Sequence, residues 1–144
     1  MKSLQGENKM LDDALQRAMT SVPDCLAAGF VDLNSGMILS IKTVDSHPSE
    51  VFDFLAAATA DLFQGPNVVA IEKIFKKSRG LMDEDNYHYF QEIIVNSENL
   101  IHVFIRTKDQ NEIVCFVCRK GANLGMVLTK ARIALPTIER AFHA

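Results

Sequence analysis

The chain has 144 residues, 48% hydrophobic and 23% charged, an ordinary globular composition that predicts one domain over 1–144 at roughly 100–200 residues per domain. Seven Gly and four Pro are too few for a low-complexity or collagen-like chain, and two Tyr, nine Phe and no Trp leave little for an aromatic binding platform. Fifteen basic against eighteen acidic side chains give −3, the wrong sign for general nucleic-acid binding, which needs clustered Lys and Arg.

Asn8 is placed to cap a first helix, with Asp12 and Asp13 near its positive end. Leu11, Leu15, Ala18 and Val22 recur at helical spacing, and Pro23 ends the helix. Leu26–Leu33 is apolar on both alternating faces and reads as a covered strand, in which Gly29 would let a helix backbone approach. Asn34-Ser35-Gly36 is a turn, and Met37–Lys42 returns as the second strand of a hairpin.

A second helix begins after Ser46, with Pro48 in its first turn and Glu50 nearby. Val51, Leu55, Ala58 and Leu62 form one stripe, widened by Phe52, Ala56 and Phe63. Gly65-Pro66-Asn67 interrupts it. A shorter amphipathic piece follows, with Val68, Ile71 and Phe75 on one face and Lys73, Lys76 and Lys77 around it. Ser78–Asn86, with Gly80 and Asp83-Glu84-Asp85, reads as a loop.

Three strands come next: Tyr89–Asn96, Leu100–Arg106 and Ile113–Cys118, joined by connections short enough for hairpins. The last helix starts near Asn123 and carries Leu124, Leu128, Ala131, Leu135, Ile138 and Phe142 at helical spacing. Pro136 should kink or interrupt it, because it removes a backbone donor and crowds the Arg132 carbonyl. The element order is α-β-β-α-β-β-β-α. Strands apolar on both faces belong at the centre and half-polar ones at the edges. This predicts an α/β (α+β) fold with a five-stranded antiparallel sheet in the order 2-1-5-4-3, helices on both faces and two open edges that invite pairing.

The stretch Val114-Cys115-Phe116-Val117-Cys118-Arg119-Lys120-Gly121-Ala122-Asn123-Leu124-Gly125-Met126-Val127 resembles the last strand and last-helix entry of roadblock/dynein light chain domains, where an apolar strand runs into an A-N-L-G turn. Ala27–Gly36 is similar to the family's opening hairpin around a D-x-x-G turn. The likeness spans roughly residues 8–142, with segment 64–88 longer than in a minimal domain of this kind. It implies a profilin-like fold and a homodimer or heterodimer, in which the strand Tyr89–Asn96 pairs across the dimer and the second helix packs beside its symmetry mate. Such proteins are mostly non-catalytic: dynein adaptors, scaffold subunits at endomembranes, and bacterial regulators of small Ras-like GTPases. The dimer contacts so implied are Phe90, Glu92 and Ile94 on the edge strand, with Val51, Leu55 and Leu62 on the second helix. Those helix positions could equally face their own sheet.

No pattern predicts a catalytic residue, a cofactor or a metal site. Cys115-Phe116-Val117-Cys118 matches C-x-x-C, but redox chemistry needs a partly exposed thiolate. In an apolar strand the two side chains point to opposite faces, so two buried structural thiols are expected. Cys25 is distant in sequence, and no zinc-ligand spacing joins it to them. His47, His88, His102 and His143 are scattered; only His88, beside Asp83-Glu84-Asp85, stands in a cluster, read as a solvated loop. His102 reads as a sheet-face histidine. Gly121–Gly125 lacks the phosphate-loop patterns and reads as a tight turn. Lys73, Lys76, Lys77 and Arg79 read as a charged helix flank, with Arg79 the one residue in a setting suited to donation to a GTPase in trans.

Residues 1–60 carry four basic and eight acidic groups, and 101–144 carry seven and three, a swing able to orient a charged partner. The N-terminus has no apolar signal core, three cysteines make no disulfide framework, and no stretch approaches the ~20 apolar residues of a membrane span. The expected location is cytoplasmic. The favoured reading is a non-catalytic, homodimeric interaction module with a small Ras-like GTPase as its implied partner. The alternative is a small-ligand sensory domain of the PAS or profilin-like kind, with a cavity between helix and sheet lined by His102 or Cys115. A thiol redox enzyme resting on C-x-x-C comes third.

Overall fold

The computed structural model describes residues 8–45, 49–82 and 86–144. Among these the chain forms α1 (Lys9–Ser21), β1 (Cys25–Asp32), β2 (Met37–Thr43), α2 (Ser49–Gln64), α3 (Pro66–Ser78), β3 (Glu92–Asn96), β4 (Leu100–Arg106), β5 (Glu112–Arg119) and α4 (Leu124–His143). Ser46, His47, Pro48 and the run Asp83-Glu84-Asp85 lie outside the described residues. The five strands make one antiparallel sheet in the order β2-β1-β5-β4-β3, as the apolar runs predict. The short amphipathic piece is a full helix, α3, so the observed order holds four helices rather than three.

The helix ends follow local chemistry. Asn8 Oδ1 accepts from the Leu11 N–H and Asn123 Oδ1 from the Met126 N–H, at 3.1 and 3.0 Å, satisfying donors that have no partner within their helices. In the β1–β2 turn the Asp32 carboxylate accepts from the Asn34 and Ser35 backbones and from the Ser35 hydroxyl. Gly36 closes that turn at φ 72°, a left-handed conformation that suits glycine. At Gly65 a Cβ would stand 2.7 Å from the Asp61 carbonyl oxygen, so only glycine fits the corner between α2 and α3.

The sheet divides the core in two. On one face Phe30, Val103, Val114, Phe116 and Cys118 pack against α1 and α4. On the other Val31, Phe104, Ile113, Cys115 and Val117 meet Ala56 and Phe63 of α2. This strict alternation along β5 puts Cys115 and Cys118 on opposite faces, as expected for buried thiols.

Four expectations need correction. No helix backbone lies against Gly29, where a Cβ would meet the Ile41 side chain and Ser40 carbonyl of β2 at ordinary contact distance. Of the two effects expected of Pro136, interruption is absent: α4 runs through it. Both it and Arg132 are exposed, so water can take the donor's place at the Arg132 carbonyl. The third strand is Glu92–Asn96, not Tyr89–Asn96, because residues 88–90 are drawn off the ladder by buried side chains. Finally, Val51–Ser78 is long and apolar enough to cross a membrane by length and composition. Here it is two helices broken at Gly65, with Ala56, Thr59, Phe63 and Glu72 buried.

Candidate interaction surface

The outer face of the α2–α3 layer and the adjoining sheet edge carry the features that packing leaves unused. Ala56, Thr59 and Phe63 turn α2 inward. Beside that inner face large apolar side chains stay open among the exposed Asp53 and Asp61: Phe54 is 73% exposed, Val51 48% and Leu62 37%. On α3, Ile74 is 66% exposed. The apolar stripe of α2 is thus wider than the part its own sheet covers.

Arg106, itself buried, organises this half of the molecule. Its guanidinium donates to the carbonyls of Phe90 (Nε, 2.9 Å), Gln110 (Nη1, 2.9 Å) and Phe63 (Nη2, 3.4 Å). It also lies over the Phe63 ring, 5.2 Å from the centroid. Burial lowers its pKa, opposed by the charge of Glu72. Glu72 is buried on α3, and its carboxylate accepts from the Tyr89 N–H at 2.8 Å and faces His88 Nδ1 at 3.2 Å. Burial is also the main cause that pushes the His88 pKa down. His88 therefore belongs to this network and is not part of a solvated acidic loop. Tyr89 stacks on Phe75 of α3, centroids 4.8 Å apart. Glu72 and Arg106 thus each hold a backbone group of the approach to β3, the Tyr89 N–H and the Phe90 carbonyl.

The six residues expected at a dimer contact do not gather into one patch. Val51 and Leu62 are exposed on α2, whereas Leu55 is half-buried and faces the sheet. Ile94, 44% exposed, and Glu92 point to the opposite side of the edge strand. Glu92 holds Arg132 of α4 through two bonds, 2.9 and 2.7 Å, and the Arg132 bond keeps its carboxyl below the usual glutamate range. Phe90 precedes the strand and packs into the core beneath α2. Sequence reasoning missed Phe54, although its place three residues after Val51 puts it on the same stripe. Arg79, the residue suited to donation in trans, caps α3 and lies over the Tyr87 ring at 5.4 Å.

Two further arrangements are visible only in three dimensions. A cavity of about 570 Å³ opens between the first half of α2 and the sheet, lined by Leu26, Ile41, Phe54, Leu55, His102 and Val117 among others. His102 is its ring-bearing polar group, and burial lowers its pKa. At the far end of the sheet Asp109, Glu112 and His143 bring ligand atoms within 4.8 Å of one another, although their sequence positions show no metal spacing. There Thr107 Oγ1 lies 2.9 Å from Asp109 Oδ1 and 3.0 Å from Glu112 Oε1. Burial, with Asp109 close by, pushes the Glu112 carboxyl up to about 7.

Neither the protein-family models nor the curated proteins contain a match to the chain. Solved structures do match. The gliding protein MglB of Thermus thermophilus superposes with a TM-score of 0.67 at 19% identity, over 93% of this chain and 89% of that one. A Roadblock/LC7 domain from Streptomyces avermitilis gives 0.64 at 10% identity, over 92% and 98%. Acanthamoeba castellanii profilin IB gives 0.53 at 13%, over 90% and 98%. With its sheet ordered β2-β1-β5-β4-β3 and these superpositions, the chain has a roadblock-type, profilin-like fold.

Proposed function

We propose that the chain is a non-catalytic, homodimeric interaction module that regulates a small Ras-like GTPase. The observation that carries this reading is the large apolar side chains left open to solvent on α2, Val51, Phe54 and Leu62. Exposed apolar surface beyond what packing uses marks an interaction site. The free edge of β3 offers unpaired backbone groups to a second copy. The GTPase as partner rests on the roadblock likeness of the 114–127 segment and on the fold.

Light scattering at ~100 μM, far above a ~μM dissociation constant, should give twice the chain mass. Phe54→Asp and Leu62→Asp should return it to the monomer with unchanged circular dichroism, since neither side chain is in the core. A wild-type monomer at that concentration overturns the dimer. A small GTPase encoded beside this chain should bind it in one nucleotide state, GDP or a non-hydrolysable GTP analogue. Binding in neither state removes the regulatory half of the reading.

The cavity favours a second reading, an apolar small ligand held between α2 and the sheet. Its volume of about 570 Å³ lies within the range of ligand pockets. Val51, Phe54 and Leu55 serve both readings, so a partner seated on α2 and a ligand would compete. A rise in melting temperature with a panel of fatty acids and aromatic acids supports the ligand; no shift removes it.

A further inference from the structure

The thiols the fold brings together are not those of the C-x-x-C motif. Cys115 is buried on the α2 side and Cys118 on the α1–α4 side. Cys25, at the start of β1, is the cross-strand partner of Cys118. The pairing depends on an irregularity in β1: Ala27 faces Val117, and a register shift between Cys25 and Ala27 brings Cys25 opposite Cys118. A bulge of this kind re-aims a side chain. The flanking Arg119 N–H donates to the Asp24 carbonyl at 3.0 Å, which makes this a non-hydrogen-bonded position of the antiparallel ladder. Cα atoms at such positions stand about 4.5 Å apart, inside the roughly 4.4–6.8 Å that a disulfide spans. Both thiols are free, and Cys25 is partly exposed, its Sγ–H donating to the Ala27 carbonyl at 3.2 Å.

From this geometry we infer that Cys25 and Cys118 form a modification site, a dithiol that a hydroperoxide converts reversibly to an intramolecular disulfide tying the start of β1 to the end of β5. The roles follow from the environments. The hydrogen bond from Cys118 holds the Cys25 thiol below the usual range, and the same bond together with burial pushes Cys118 up. Cys25 is therefore the thiolate and Cys118 the proton-bearing partner. The Cys25 sulfur attacks a peroxide oxygen; an S–O bond forms, the O–O bond breaks, and hydroxide leaves to be protonated to water. The Cys118 sulfur, giving up its proton, then attacks the Cys25 sulfur. An S–S bond forms, the S–O bond breaks, and the departing hydroxide becomes the second water. Hydrogen peroxide is reduced by two electrons and the pair of thiols is oxidised by two. Cys115, fully desolvated and pushed up to about 12, stays a thiol. The inference does not depend on the interaction role proposed above.

The test is intact-mass spectrometry of the reduced full chain after exposure to hydrogen peroxide, followed by peptide mapping without reductant. The expected product has lost two hydrogens, carries a Cys25–Cys118 cross-linked peptide and reverts with dithiothreitol. Cys115→Ser should behave like wild type. Cys25→Ser should give no cross-link, and Cys118→Ser should leave a sulfenic acid on Cys25 that dimedone traps. Cys25 is partly exposed, so Cys25→Ser carries the test even where a Cys118 variant does not fold. Three unreacted thiols, oxygen adducts without a cross-link, or disulfides only between chains would each overturn the inference.

Discussion

The two faces of the sheet are built from the same kinds of residue and end in different states. Under α1 and α4 the core is closed: Phe30, Phe116, Val127 and Ile138 have no exposed surface. On the other face α2 and α3 cover the sheet with Ala56, Phe63 and the buried Glu72, above the buried Arg106 of β4, and leave Val51, Phe54, Leu62 and Ile74 exposed. The difference teaches that burying a core and completing a surface are separate tasks. Amphipathic α1 suffices for the first, whereas α2 keeps Val51, Phe54 and Leu62 exposed, between Asp53 and Asp61, after its inner face is buried.

The contrast can be broken most strongly from the closed side. Phe116→Ala should cost roughly 3–5 kcal/mol in urea unfolding, the usual range for emptying a buried aromatic site, while the protein that remains folded keeps its oligomeric mass. Phe54→Asp is the mirror case, altering assembly and leaving unfolding nearly unchanged. The same loss in both variants would mean that the two faces are not distinct.

Arg106→Ala should cost about 3 kcal/mol, because it leaves three carbonyls of the interior without their donor. Its effect should be lopsided. Native-state hydrogen exchange should accelerate in β3 and the end of α2 before it does in α1 or α4. Uniform acceleration would show that Arg106 stabilises the whole molecule, not its second face alone.

The smallest effect concerns pH. Glu112 is pushed up to about 7, so the folded chain holds this proton more tightly than the unfolded one. The stability this provides is fully present below the ordinary glutamate range and is lost as pH rises through about 7. Glu112→Gln removes the buried charge while keeping the shape. It should be more stable than wild type at pH 8 by roughly 1 kcal/mol, with the gap closing by pH 4. A constant difference across that interval would contradict the assignment.

The pattern of apolar residues determined a good deal on its own. Runs apolar at every position, such as Ile113–Cys118, have nowhere to lie but the middle of a sheet covered on both sides, so the order 2-1-5-4-3 followed from composition along the strands. The caps at Asn8 and Asn123 and the turn at Gly36 were legible because each is decided within a few residues. Tertiary structure decided the rest. Helical spacing shows that the apolar stripe of α2 is wide, but the choice between Phe52-Ala56-Phe63 and Val51-Leu55-Leu62 as the inner face depends on where the sheet lies. Arg106 and Glu72 belong to different elements, and only folding brings both to the segment before β3. The late start of β3 follows from them, because Glu72 takes the Tyr89 N–H and Arg106 the Phe90 carbonyl. The pairing of Cys25 with Cys118, in place of a motif of adjacent cysteines, was set by one register shift that no periodicity announces. Local patterns fix what a segment can become, since backbone geometry repeats every two or 3.6 residues; which groups then meet across the fold is fixed by packing.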